Sequence, residues 1–445
     1  MKTAPRRYVI IGSGVAGIAA VQAIRAQDAA GEITVISDDP FGFYSRPGLA
    51  YYLTGELEEN LLFPITHQEF RAYNLRWVQG RAGRILPAEH RVELENRASL
   101  PYDRLLLATG SLASALPIEG AAGCQGVHKL DNLADARAIL ASARRARAAV
   151  VVGGGITALE LVEALLAQGL QVHFFLRGER YWNNVLDETE SQIVERRLQH
   201  EGVRLHYKTE LADVLAHKGR VAGVVTKDGR RIACEILAFA IGVKPRMELA
   251  KAAGLKVDRG VLADEHLQTS DPDIFAAGDV AQVYDPFSGK SALDTLWGTA
   301  REQGHCAGMN MAGHSAAYAK RVPLNVTRLA GLTTTIIGTV GSGPDPSLLG
   351  IARGDSETWR QLGLSVTAEN TFEVNRLRLL VGEKHLLGAV VMGDQKLSKP
   401  LQELINQRVD ITPIRAALFQ TPKLGDMVAA FWTQWREREH AGEKS

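Results

Sequence analysis

Near the start of the chain, Gly12-Ser13-Gly14-Val15-Ala16-Gly17 has the spacing of a turn that cradles a pyrophosphate. The first glycine permits the tight turn, and the second lets backbone approach the phosphates. The third lets the following helix pack on its sheet, and the helix N-terminus attracts the anion. A second turn, Gly153-Gly154-Gly155-Ile156-Thr157-Ala158, begins 141 residues later (153 − 12), with alanine as the permitted third member. The two turns differ in the residues at the end of the next strand. After the first, Ser37 stands where an acid usually meets the adenosine ribose, followed by Asp38 and Asp39, so Asp38 or the Ser37 backbone is expected to take that role. After the second, Phe174-Phe175-Leu176 ends without an acid, and Arg177 and Arg180 come next. A carboxylate binds a free ribose 2′-hydroxyl and repels a 2′-phosphate, whereas arginine does the reverse. This turn is therefore expected to favour NADPH over NADH, unless the arginines are ordinary surface cations.

The elements needed to position these turns are legible around them. Residues 8–11 read as a buried strand, 15–29 as a helix and 33–36 as a second strand. The order recurs with a strand at 149–152, a helix through residue 168 and a strand at 172–176. Shorter strands are expected at 75–78, 105–107 and 236–241. From about residue 322 the pattern changes to meandering strands at 326–329, 333–337, 372–374, 377–381 and 387–391, closed by helices at 401–408 and 425–438. The fold class is α/β, with two Rossmann-like dinucleotide-binding domains and a smaller C-terminal α+β domain. The boundaries expected are 1–115 with 246–321, then 116–245, then 322–445.

Composition narrows the function classes. The 445 residues are 46% hydrophobic and 23% charged, as in ordinary globular proteins. Lys plus Arg number 51 against 50 Asp plus Glu, a net charge of +1 that argues against nucleic acid or an anionic membrane as partner. No stretch approaches the roughly 20 apolar residues of a membrane span, and the apolar run after the basic N-terminus is too short for a signal peptide. The three cysteines form no C-x-x-C pair and the histidines show no ligand spacing, so buried thiols in a reducing cytoplasm and no metal site are expected.

Three further stretches give the turns their meaning: Leu105-Leu106-Leu107-Ala108-Thr109-Gly110-Ser111, Ile241-Gly242-Val243-Lys244-Pro245, and Ile274-Phe275-Ala276-Ala277-Gly278-Asp279-Val280. With both turns, in this order, the chain resembles the flavoprotein reductases that carry two dinucleotide-binding domains, over nearly its whole length. That resemblance implies FAD at the first turn and NAD(P)H at the second. It implies that Asp279 binds the ribityl chain and that Ala108, Thr109 and Gly110 lie against the pyrophosphate or adenine. It also implies a helix pointing its N-terminus, near Leu296-Trp297-Gly298, at the N1–O2 edge of the flavin, where its dipole stabilises the anionic reduced form. Ala82, Val280 and Gly242 complete the expected cofactor contacts.

Within that superfamily, Phe43-Tyr44-Ser45-Arg46-Pro47-Gly48-Leu49 is similar to the segment covering the flavin in rubredoxin and ferredoxin reductases and in the flavin module of NAD(P)H nitrite reductase. The C-terminal region is similar to that of the nitrite reductase module, without its haem and cluster domains. Relatives that reduce disulfides or peroxide carry a redox cysteine in the covering segment, and that position falls on Pro47. Ferredoxin-type reductases place a lysine where Tyr51 stands, pairing with a glutamate that matches Glu160. Tyr51 and Glu160 are thus the flavin-edge candidates, without the usual cation. The expected activity is hydride transfer from NAD(P)H to FAD, then electron transfer to a separate protein, either rubredoxin- or ferredoxin-like or a partner reductase subunit. The alternatives are a nucleotide-sensing flavoprotein subunit and an oxidase using O2. The aromatic stripe Met427, Val428, Phe431, Trp432 and Trp435 either packs on its own domain or forms a dimer or partner surface.

Overall fold

The computed structural model describes residues 4–285, 289–338, 340, 365–370, 375–421 and 423–442. Its contacts divide the chain into two compact units, one of Met1–Ala115, Lys129–Ala141 and Gly242–Lys320, the other of Leu116–His128, Ser142–Ile241 and Arg321–Ser445.

The first unit is built on a parallel five-stranded sheet in the order Ile274–Ala276, Arg104–Leu107, Arg7–Ile11, Glu32–Ser37, Leu75–Gln79. Tyr8, Val9, Ile10 and Ile11 are each at most 6% exposed, as expected of a strand covered on both faces. The first helix runs Val15–Gln27 and stops short of residue 29. Asp28 leaves the helical conformation (φ −128°, ψ 93°), and its carboxylate accepts bonds from Tyr8 Oη and from the Ala30 and Gly31 amides. A long helix, Trp297–Met311, lies along the first one. Gly304 and Gly308 make this approach possible, because a Cβ there would stand 2.1 Å from Ala16 O and 2.6 Å from Ala20 O.

The second unit holds another sheet, with the parallel strands Arg204–His206, Gln171–Phe175, Ala148–Val152 and Ile236–Phe239 in that order and Val127–Lys129 next to the last of them. The same unit contains an antiparallel sheet ordered Leu324–Leu329, Leu332–Gly338, Leu386–Met392, Asn375–Val381, Ser365–Asn370. The expected strand at 372–374 lies outside the described residues, and the strand Ser365–Asn370 was not read from the sequence. Helices Ser398–Asn406, Thr412–Leu418 and Leu424–Gly442 cover one face of this sheet. The aromatic stripe packs there: Val428 is 1% exposed, and Met427, Phe431, Trp432 and Trp435 are half-buried against the same core.

Arginines of the C-terminal sheet grip the nucleotide fold of that unit. Arg378 is bidentate to Glu190 at 2.8 and 3.0 Å and also donates to Val185 O at 2.8 Å, while Arg376 reaches Asp187 at 2.8 Å. Asp187 and Glu190 are the two halves of the capping box that opens helix Glu188–His200. A buried carboxylate is tolerated there because its lone pairs find donors. Spacing alone could not reveal this, since the partners are 188 residues apart.

Candidate functional site

The first turn has the shape its sequence requires. Gly12 sits at φ +115°, where a Cβ would also stand 2.1 Å from Ala108 O, so only glycine fits. At Gly17 a Cβ would meet Gly12 O at 2.1 Å, which is why the helix can pack so near the strand. Gly14 is different: nothing lies within 4 Å of a Cβ built there. The helix that starts here has no side-chain cap and no acid in its first turn. Its first amides therefore lack a capping side chain next to the open space at Gly14, and such amides are the donor set a pyrophosphate needs.

The other residues expected to meet this cofactor have the following surroundings. Ser13 and Ser37 are buried and share a hydrogen bond of 2.8 Å between hydroxyls. Ser37 Oγ also accepts from the Asp39 amide at 3.2 Å. Asp38 is exposed, 4.0 Å from the Arg246 guanidinium. Ala16 and Val280 are buried, Ala82 opens the strand Ala82–Leu86 beside Leu94, and Gly242 accepts a bond from the Ser114 amide at 2.9 Å. Ala108 follows the strand Arg104–Leu107, its amide donating to Ile11 O at 2.9 Å, and Thr109 Oγ1 donates to Arg246 O at 3.1 Å. Asp279 accepts a 2.6 Å bond from Ser111 Oγ, and loss of solvation raises its carboxyl pKa against that bond.

The covering segment is tied down rather than loose. Arg46 donates to Asp131 O and lies 3.8 Å from Asp39. Tyr44 donates to Asp39 at 3.0 Å and accepts from the Leu133 amide at 3.1 Å. Pro47 precedes the short helix Gly48–Thr54, on which Tyr51 is 40% exposed. Phe43 stacks on Trp297 with ring centroids 6.1 Å apart.

Two residues of this site were missed from the sequence. Ser111 adjoins the Ala108–Gly110 turn, but only the fold brings it to Asp279, 168 positions away. Arg246 adjoins the Gly242–Pro245 landmark, and its buried Nε has no hydrogen-bond partner among the described residues. A buried, unused guanidinium donor beside an open phosphate cradle fits an anionic ligand.

The second turn repeats the design. A Cβ on Gly153 would stand 2.3 Å from Ala240 O at φ +150°, whereas nothing lies within 4 Å of one on Gly154 or Gly155. Helix Ile156–Ala167 again lacks a side-chain cap, and Ala158 is fully buried beneath it. Tyr181 Oη reaches Gly155 O at 3.4 Å. Leu176 is 1% exposed at the strand end, and Arg177 is exposed beyond it. The Tyr181 amide donates to Glu195 at 2.6 Å and Ser191 Oγ donates to Tyr181 O at 2.7 Å, so the backbone carrying Arg180 is anchored. Arg180 Nη2 donates to Asn183 O at 3.1 Å, and its buried Nε has no hydrogen-bond partner among the described residues. Glu160 lies on the helix of this turn, where burial and then Glu163 push its carboxyl up to about 7. Tyr51 belongs to the first unit and Glu160 to the second.

The thiols bear on redox chemistry. Burial pushes Cys234 up to about 12 and Cys306 up to about 11, so both stay protonated near neutrality. Cys124 is half-buried rather than buried, because it ends a surface turn, and its thiol is also raised. None has the thiolate character that exchange chemistry needs. Among the described residues no cluster of His, Cys, Asp or Glu could hold a metal, and no helix is long and apolar enough to cross a membrane.

A family model described as pyridine nucleotide-disulphide oxidoreductase matches residues 6–304. The ferredoxin–NAD(+) reductase component of the biphenyl dioxygenase system of Paraburkholderia xenovorans is 33% identical over 362 residues, covering 80% of this chain and 85% of that protein. Subunit epsilon of the NADH-dependent phenylglyoxylate dehydrogenase of Aromatoleum evansii is 28% identical over 421 residues, covering 94% of this chain and 95% of the subunit. Among solved structures, putidaredoxin reductase in its covalent complex with putidaredoxin has the same fold, with a TM-score of 0.84 at 24% identity, covering 96% of this chain and 99% of that one.

Proposed function

The chain belongs to the pyridine nucleotide-disulphide oxidoreductase family, and from that premise we propose that it is an FAD-dependent NAD(P)H:acceptor oxidoreductase delivering electrons to a separate protein. The observation that carries this reading is the pair of uncapped glycine-turn helices with open cradles, Gly14 at one and Gly154 and Gly155 at the other. FAD supplies the hydride-accepting chemistry, which no side chain here offers. The residues bind and orient. Gly12, Gly14 and the first helix would hold the pyrophosphate of FAD, and the free Nε of Arg246 would donate to the same end of the nucleotide. Asp279, held by Ser111, would accept hydrogen bonds from the ribityl hydroxyls. Arg46 and Tyr44 fix the covering segment, with Phe43 and Trp297 as its aromatic wall.

The acceptor is a ferredoxin- or rubredoxin-like protein or a partner reductase subunit. Two relatives bear names of that kind, a ferredoxin reductase component and a dehydrogenase subunit. With Pro47 in the covering segment and protonated thiols elsewhere, electrons leave the flavin without a protein thiol. We place the protein in the cytoplasm, where free thiols persist. Those relatives are named for NAD(+) and NADH, yet here Leu176 is followed by Arg177 and Arg180, which favours NADPH.

Anaerobic titration near pH 7 tests the reading. The flavin absorbance should bleach with NADPH, and with NADH at a lower rate. A purified protein whose flavin is bleached by neither nucleotide overturns it.

A further inference from the structure

Two acids stand at the head of helix Trp297–Met311, and only one has a role in the proposed function. Asp294 is 7% exposed. Its Oδ1 accepts from the Leu296 amide at 3.2 Å and its Oδ2 from Thr299 Oγ1 at 3.1 Å. The N-cap residue Leu296 has no side-chain acceptor and the first helical turn has no acid, so the Asp294 carboxylate is the anion this helix end receives. Asp279 belongs to the same end: a Cβ on the neighbouring Gly278 would stand 3.6 Å from Ala300 Cβ in the first turn of the helix, and the Asp279 charge acts on Asp294.

The charges around Asp294 come from every side of this head. Asp279 repels it and Lys320 attracts it, while Arg46 acts on Asp279. Tyr318 packs nearby, its hydroxyl pushed up by burial, then by Asp294 and Glu302. Burial raises the Asp294 carboxyl above the ordinary aspartate range. A third negative charge arriving here would bring three anions together, with Lys320 and the helix end to offset them. The proposed function brings such a charge, since hydride leaves the reduced flavin anionic.

We propose that Asp294 takes up a proton from solvent when the flavin at this helix head is reduced, and returns it on reoxidation. The balance closes: oxidised flavin, NAD(P)H, the Asp294 carboxylate and one solvent proton give anionic reduced flavin, NAD(P)+ and the neutral carboxyl. Hydride carries both electrons, and the proton neutralises the charge that it adds. Asp294 thereby links the flavin potential to pH without touching the transferred hydride. This inference rests on the proposed function and on the flavin lying at this helix head, where Trp297, the first helical residue, stacks on Phe43 of the covering segment.

The test is the number of protons taken up when the flavin-loaded protein is photoreduced anaerobically in weak buffer near neutral pH. The wild type should take up two protons per two electrons and Asp294→Asn one, each with the flavin bound. The slope of midpoint potential against pH should halve in step. Thr299→Val removes the anchor but not the charge and should keep two, which separates the proton role from helix capping. A wild type that takes up one proton overturns the inference by itself, as does Asp294→Asn that still takes up two. A flavin bleached normally by NAD(P)H with either result leaves the proposed function standing. A protein that binds no flavin refutes both.

Discussion

The nucleotide preference is the most exposed part of this reading, and removing the two arginines tests it directly. Arg180 is held by the bond from Nη2 to Asn183 O and by the anchored backbone at Tyr181, leaving a buried Nε without a partner among the described residues. A charge-assisted bond from such a donor to a 2′-phosphate contributes about 1.5–3 kcal/mol. Arg177 is exposed, so its ion pair adds about 0.2–1 kcal/mol. Together these give about 2–4 kcal/mol. At about 1.36 kcal/mol per decade the ratio of NADPH to NADH efficiency should fall about 30- to 1,000-fold in Arg177→Ala/Arg180→Ala. NADH, with a free 2′-hydroxyl, should change less than about threefold, since neither arginine then has its anion. Stopped-flow reduction of the flavin by each nucleotide, at two salt concentrations, measures the ratio, and the wild-type advantage should shrink as salt screens Arg177. A wild type that prefers NADH, or a double variant that loses both nucleotides equally, refutes the assignment.

The open cradle makes a contrasting prediction. Gly14 has φ −71° and nothing within 4 Å of a Cβ, so Gly14→Ala should leave the apoprotein as stable as before or about 0.4–1 kcal/mol more stable. The methyl would occupy the pyrophosphate position, so FAD affinity should fall at least about tenfold, read from flavin fluorescence on dilution; unchanged affinity would remove the phosphate from this turn. Glu160 offers a pH test. Its folded pKa of about 7 lies above the ordinary 4.5, so its contribution to stability is complete below about pH 4.5 and is lost as pH rises through about 7. Denaturation midpoints should decline over that window in the wild type and decline less in Glu160→Gln. Superimposable pH curves would show that the carboxyl is not held neutral by the fold.

Much of the architecture was legible because its signals are local. A run such as Tyr8–Ile11, a glycine turn and an alanine-rich helix declare a strand-turn-helix unit within twenty residues, and the same logic found the second unit. The end of the first helix was less legible, because it depends on the carboxylate of Asp28 meeting Tyr8 from another element. The strand Ser365–Asn370 was missed because it holds only two apolar residues, Val366 and the small Ala368, too few to stand out from a polar loop. It is defined by pairing with Asn375–Val381.

The glycine turns were legible in the sequence alone, because their spacing is local: Gly12, Gly17 and Gly153 are required by backbone sterics, and Gly14, Gly154 and Gly155 leave open the space a pyrophosphate needs. Which other side chains serve those turns was decided only by tertiary structure. Ser111 meets Asp279, Arg246 keeps a free donor near Asp38, and Asp294 closes the head of a helix whose own first residues offer no acceptor. The physical reason is that desolvation and partner geometry are properties of the packed chain. A carboxylate reads the same in a sequence whether water or a helix end surrounds it, and only the fold tells which.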